Sequence, residues 1–211
     1  MMTVLSDCVA GVDLREHDRC ATAPAGGRDP VRIGVGDHVL GSAHGVLKTV
    51  IYGDLTSPAT MDVYLGVRDA VLRDEGVTCA FRHRLTQPDP VSRIGANFAE
   101  VAAHAGLFWP FVDAVATCGC WGTHALRHLR ALGVEDELLT DPDVRRAGRA
   151  RLIDDAGLAS AARARTDPSV FINGVPWSPG RGRGIGDDLA RLAGTTRPLW
   201  DQARGIEHPS L

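Results

Sequence analysis

The first sustained hydrophobic pattern along the chain is Leu47-Lys-Thr-Val-Ile-Tyr52, a run rich in β-branched residues that Gly53-Asp54 closes. It predicts a strand. Ser57-Pro58 follow, a serine able to cap a helix and a proline suited to its first position. Met61, Tyr64, Leu65, Val71 and Leu72 then recur at near-helical spacing until Gly76, which predicts a helix. Val77-Thr-Cys-Ala-Phe81 returns to a strand pattern. Two strands ~30 residues apart with a helix between them make a βαβ unit, hence a parallel pair with a right-handed crossover.

From Ser92 to about Arg165 the rhythm turns helical throughout. Phe98, Val101 and Ala102 mark one helix, Phe108 to Val115 a second, and Ala125 to Leu132 and Val144 to Leu158 two more. Gly106, Gly122, Gly133 and Asp141-Pro142 punctuate them. Ser169-Val-Phe-Ile172 is a short apolar strand, Asn173-Gly174 a strong hairpin signal, and Val175-Pro-Trp177 the expected return strand. Ile185, Leu189 and Leu192 outline a last helix. Outside this core, residues 1–36 read as an amino-terminal arm or linker, with Ala-Pro-Ala-Gly-Gly at 23–27. Residues 196–211, with Trp200, read as a loosely packed tail. The expected domain is 37–195, its helical block at about 92–165 inserted between the βαβ half and the hairpin. That order is an α/β, thioredoxin-type layout.

Composition narrows the class. The chain has 211 residues, 44% hydrophobic and 23% charged, with a net charge of -3, which suits one domain with a real core. A pI near 6.2 argues against nucleic-acid binding through bulk charge. Arg145, Arg146, Arg149, Arg151, Arg163 and Arg165 lie close to Asp141, Asp143, Asp154 and Asp155, the pattern of a salt-bridged exposed helix. No apolar run approaches the ~20 residues of a membrane span, so no membrane partner is expected. Asp7, Asp13, Arg15 and Glu16 interrupt any apolar leader, and the expected compartment is the cytoplasm. Cysteines 8, 20, 79, 118 and 120 include no Cys-x-x-Cys pair. Cys118-Gly-Cys120 would close only a strained ring, and Cys79 sits in an apolar strand as a small hydrophobe.

Asp37-His38-Val39, Tyr52-Gly53-Asp54-Leu55, Phe81-Arg82-His83, Phe108-Trp109 and Asp167-Pro168-Ser169-Val170-Phe171-Ile172-Asn173-Gly174, in that order, resemble the DsbA-like branch of the thioredoxin superfamily. Related domains also occur fused behind sodium/proton antiporters. The resemblance implies a thioredoxin fold, a central mixed sheet with a helical insertion, and a cis-proline loop with Pro168 facing the start of the first helix. Family members carry Cys-Pro-x-Cys at that helix start, and this chain has Ser57-Pro58-Ala59-Thr60. Thiol-disulfide exchange needs a thiolate attacking sulfur, which serine and threonine cannot supply. A conventional thiol-disulfide oxidoreductase is therefore not expected.

The candidate site follows from the same resemblance. Ser57 and Asp167 are the candidate catalytic residues, with Thr56, Thr60, Pro168, Phe108 and Trp109 as candidate ligand contacts. A helix start offers unpaired N–H donors, serine adds a hydroxyl, and an inward Asp167 would add an acceptor or base. Kappa-class glutathione transferases and chromene-carboxylate isomerases use a serine at this place, within a Ser-Pro-x-Ser motif that this chain half matches. No cofactor is expected, a low-molecular-weight thiol such as glutathione being the one the resemblance leaves open. The bland alternative for Ser57 is a helix cap, for His83 a structural histidine, and for His124 and His128 a solvated helix face. Three functions stay open: a non-redox small-molecule pocket of an isomerase, cyclase or thiol-conjugate enzyme of specialised metabolism; a non-catalytic module binding a protein or a second copy of the chain; and residual redox chemistry through Cys118 and Cys120.

Overall fold

A computed structural model describes residues 28–85, 90–119, 123–180 and 183–203, with backbone alone from 197 onward. Five strands form one sheet in the order β1-β3-β2-β4-β5. They are β1 (His38–Gly41), β2 (Leu47–Gly53), β3 (Val77–His83), β4 (Ser169–Ile172) and β5 (Val175–Trp177). Strands β2 and β3 are parallel, in register from Leu47↔Val77 to Gly53↔His83, as the βαβ pattern requires. The other pairings, β1 with β3, β2 with β4 and β4 with β5, are antiparallel. Asn173 and Gly174 both take positive φ, 50° and 82°, the left-handed pair that a two-residue hairpin demands. Strand β1 carries only a four-residue pattern and is not evident from periodicity.

The helices are α1 (Pro58–Arg73), α2 (Pro90–His104), α3 (Phe108–Cys118), α4 (Thr123–Ala131), α5 (Asp136–Thr140), α6 (Pro142–Ala161) and α7 (Ile185–Ala203). Asp141-Pro142, expected as a break, is also a start. Asp141 caps α6 by accepting from the N–H groups of Asp143 and Val144 at 2.7 and 3.1 Å. The five-residue α5 is too short to show a period. Helix α7 runs past the expected boundary at 196. The Thr195 and Thr196 hydroxyls donate to the Leu192 carbonyl one turn back, which gives these β-branched residues a hydrogen-bond partner within the helix.

Alternation along β2 sorts the core into two layers. Leu47 and Ile51 face a large cluster with Tyr64, Val67 and Val71 of α1, Phe98 of α2, Phe111 and Val112 of α3, and Leu189 of α7. Val50 and Tyr52 face the other side with Ala80, Phe171 and Leu158 of α6. Each such aliphatic or aromatic side chain removed from water contributes ~1.5–3 kcal/mol.

The second layer also holds residues 28–36, placed in the arm by sequence. Val31 and Ile33 pack against it. Arg82, buried near the carboxyl end of β3, donates Nε and Nη2 to the two oxygens of Asp37 at 2.9 and 2.8 Å. Its Nη1 reaches the carbonyls of Asp29 and Pro30 and the Tyr52 hydroxyl, and Nη2 also reaches the Arg32 carbonyl. Arg28 pairs with Asp37 and Asp154. Buried backbone carbonyls need donors, and a guanidinium supplies five in a fixed fork. The domain therefore begins before residue 37. The other residues of the expected arm, 1–27, and residues 204–211 lie outside the described residues.

Candidate functional site

Helix α1 starts at the carboxyl end of the central strand β2. Ser57 is its N-cap, with extended backbone (φ -86°, ψ 121°), and its Oγ accepts from the Thr60 N–H at 3.4 Å. Pro58 occupies the first turn, as its missing N–H allows. Thr60, one turn in, is fully buried.

The Asp167–Pro168 peptide is cis and enters β4 beside this helix start. Asp167 points inward. Its Oδ1 accepts from the Thr60 hydroxyl at 2.8 Å and from the Asp54 N–H at 2.9 Å. Asp54, 3% exposed, in turn accepts at Oδ1 from the N–H and the hydroxyl of Thr56, at 2.9 and 2.7 Å. With the Thr56 proton committed to Asp54, the Ser92 hydroxyl of α2 donates to Thr56 Oγ1 at 3.1 Å. One chain of hydrogen bonds thus ties the proline loop, the end of β2, the helix start and the insertion together. It holds two carboxylates beside an N-terminal helix end, where N–H donors favour negative charge. Chemically the helix start offers to solvent the half-buried Thr56 and Ser57 hydroxyls and the half-buried Asp167 carboxylate.

Ser57, Thr56, Thr60, Asp167 and Pro168 are therefore assembled in one place. Phe108 and Trp109 are engaged elsewhere. Phe108 is buried and stacks on the His38 ring, with centroids 3.8 Å apart and planes 13° apart. Trp109 stacks on Tyr64 of α1 at 5.7 Å and donates its indole N–H to the Val39 carbonyl at 2.8 Å. Both rings pack the insertion onto α1 and the edge strand β1.

The five-stranded mixed sheet, the βαβ crossover, the helical block before the hairpin and the cis-proline loop facing α1 decide the architecture. The chain has the thioredoxin fold of the DsbA-like proteins. A thioredoxin-like oxidoreductase from Silicibacter pomeroyi superposes with a TM-score of 0.64 at 23% identity, covering 81% of this chain and 98% of that one. The thiol-disulfide exchange protein α-DsbA2 from Wolbachia pipientis gives 0.63 at 13% identity, over 78% of this chain and 88% of that chain. BdbD from Bacillus subtilis gives 0.61 at 14%, over 82% of this chain and all of that one (100%). At these identities the likeness is one of fold. In sequence the chain is 28% identical over 145 residues to the Na(+)/H(+) antiporter NhaA 1 of Salinispora arenicola, a match spanning 65% of this chain and 22% of the antiporter. NhaA 3 of Salinispora tropica is 26% identical over 141 residues, again 22% of its length. No family model matches the chain. Among the described residues, no helix is long and apolar enough to cross a membrane.

Among the described residues, no cysteine belongs to the chain of hydrogen bonds at the start of α1. Cys79, buried in β3, has its thiol pushed up by desolvation and is inert as a nucleophile. Cys118, at the end of α3, is disulfide-bonded, and Cys120 lies outside the described residues.

A second polar cluster escaped sequence reasoning. His38 of β1 and His83 at the end of β3 each place Nε2 2.8 Å from the same oxygen, Oε1 of Glu100 on α2. Burial alone would raise the Glu100 carboxyl, but the two imidazole donors outweigh it and hold the group well below the usual carboxylate range. His83 was visible in Phe-Arg-His and His38 in Asp-His-Val. Glu100, in mid-helix, has no local signal linking it to either.

Proposed function

We propose that this DsbA-like thioredoxin-fold protein does not exchange thiols and disulfides at the start of α1, and that it uses the hydroxyl-and-carboxylate cleft there to bind a small molecule with a polar head. The observation that carries the reading is the 2.8 Å bond from Thr60 Oγ1 to Asp167 Oδ1. By the resemblance, Thr60 occupies the place of the family's second active-site cysteine and Asp167 precedes its proline. A hydroxyl there cannot resolve a mixed disulfide, because the exchange proceeds only through a thiolate. The pair instead supports an oriented acceptor beside the Ser57 cap and the helix start, suited to a ligand hydroxyl, amine or protonated carbonyl-derived group. The reaction class favoured is a proton-shuffling one, isomerisation or cyclisation, with Asp167 accepting a proton and Ser57 donating a hydrogen bond. A thiol-conjugate substrate fits the serine position by analogy with the glutathione-dependent relatives of this fold.

Two assays test it. Insulin reduction and refolding of scrambled ribonuclease should proceed at the rate seen without protein, and an exchange activity retained in wild-type protein would defeat the reading. A thermal-shift screen of hydroxylated and thiol-bearing metabolites should give hits whose effect disappears in Asp167→Asn and weakens in Ser57→Ala. Hits that persist in both variants would place the ligand elsewhere.

A further inference from the structure

We propose that His38, His83 and Glu100 form a binding site for a divalent transition-metal ion of the zinc class. The three residues come from three elements, β1, β3 and α2, and meet at the sheet corner under the insertion. Each offers one ligand atom, and the three atoms lie within 4.8 Å of one another. Both imidazole Nε2 atoms aim at a single carboxylate oxygen, 2.8 Å from each. Two imidazoles and one carboxylate are a complete three-ligand set for tetrahedral zinc, with the fourth position left to water or a further ligand.

The geometry is close to what the ion needs. Zinc–nitrogen and zinc–oxygen distances of ~2.0–2.2 Å place tetrahedral ligand atoms ~3.3 Å apart. The imidazole nitrogens must therefore retreat from Glu100 by ~0.5 Å, and the two nitrogens, which lie within 4.8 Å of each other, must settle at that same spacing for an ion to enter between them. The donors also choose among metals. With two nitrogens and one oxygen the set is too poor in oxygen for calcium or magnesium and has no thiolate for copper(I).

The surroundings hold the ligands in place. Phe108 stacks on His38, and Phe81 meets the His83 ring edge-on at 5.6 Å. The His83 backbone N–H donates to Asp155 Oδ2 at 2.9 Å. The His83 side chain is 1% exposed, Glu100 9% and His38 17%, so His38 is the ligand most open to solvent. An apolar shell of this kind strengthens the attraction between a cation and the Glu100 carboxylate. Nδ1 of His83 is buried without a hydrogen-bond partner. It is unsatisfied whether Nε2 binds an ion or donates to Glu100, so it favours neither state.

The competing reading is a metal-free brace in which the imidazoles only donate to Glu100, and metal binding separates the two. The purified full-length chain, stripped with a chelator, is titrated with zinc chloride by calorimetry and with cobalt(II) by visible absorption. The expected result is one ion per chain, a tetrahedral cobalt spectrum and a raised melting temperature. His38→Ala and Glu100→Gln should each drop zinc affinity by more than about tenfold. His124→Ala, on the exposed face of α4, should bind as wild type. No stoichiometric ion in wild-type protein, or wild-type affinity in folded His38→Ala and Glu100→Gln, would overturn the site. Should either variant fail to fold, NMR of the wild-type protein decides. One equivalent of zinc should shift the imidazole signals of His38 and His83 together, and shifts confined to other histidines would refute the proposal.

Discussion

Replacing Thr60 with valine removes one hydrogen bond and little else. Valine keeps the branched shape, and Thr60 packs so tightly over Gly53 that no cavity should open. The lost bond is the 2.8 Å donation to Asp167. A hydrogen bond to a charged acceptor contributes ~1.5–3 kcal/mol. Asp167 is partly exposed, so water recovers part of that, and the buried methyl returns up to ~0.8 kcal/mol. The net cost expected for Thr60→Val is ~1–2 kcal/mol, a fall of a few degrees in Tm for a chain this size. Asp167→Ala loses the Thr60 bond and the Asp54 N–H bond together and should cost more. The decisive quantity is the coupling between the two sites, measured by urea denaturation of wild type, both single variants and the double variant. A coupling of ~1–2 kcal/mol is expected because both single changes delete the same bond. Strictly additive costs would show that Thr60 and Asp167 do not share a bond in solution, and the cleft as described would lose its organising contact.

Two further outcomes rest on the same structure. Asp37→Ala should cost ~3–5 kcal/mol in urea denaturation, because it strands the fully buried Arg82 guanidinium. Burial alone would raise the Asp37 carboxyl, but the bonds from Arg82 and Gly34 outweigh it and hold it below its usual range. Its stabilisation is therefore complete above the unfolded value of about 3.9 and is lost as pH falls through the depressed native value, so wild-type stability should drop on that acid side more steeply than that of Asp37→Asn. In Gly53→Ala the new Cβ would lie 2.5 Å from Thr60 Cγ2 and 2.8 Å from its Oγ1. Displacing that side chain should cost ~1–3 kcal/mol in Tm-derived stability and abolish the Thr60–Asp167 coupling, whereas a neutral Gly53→Ala would refute the packing.

Features written in local chemistry were legible along the chain. The β-branched runs 47–52 and 77–81 flanking an amphipathic helix dictate the parallel pair, since period and turn chemistry act over a few residues. Asn173-Gly174 specifies its hairpin because few residues tolerate positive φ at both turn positions. Ser57-Pro58 declares a helix start because the cap and the fixed proline φ are properties of those residues alone. Even the proline loop was readable as a motif. What the motif could not say was which way Asp167 turns, and that is set by the Thr60 hydroxyl and the Asp54 N–H more than a hundred residues away in sequence.

The rest belonged to tertiary structure. Residues 28–36 carry only the short alternation Val31, Ile33 and Val35 and joined the domain because buried Arg82 requires acceptors, which their carbonyls and Asp37 supply. Phe108 and Trp109 read ordinarily as core and beyond that as a groove wall, and only the fold shows that they stack on His38 and Tyr64. His38, His83 and Glu100 stand on two strands and a helix, each unremarkable in its own window. Only the antiparallel pairing of β1 on β3 and the packing of α2 over that corner bring their ligand atoms together, because side-chain convergence depends on the relative placement of elements, which no local pattern encodes.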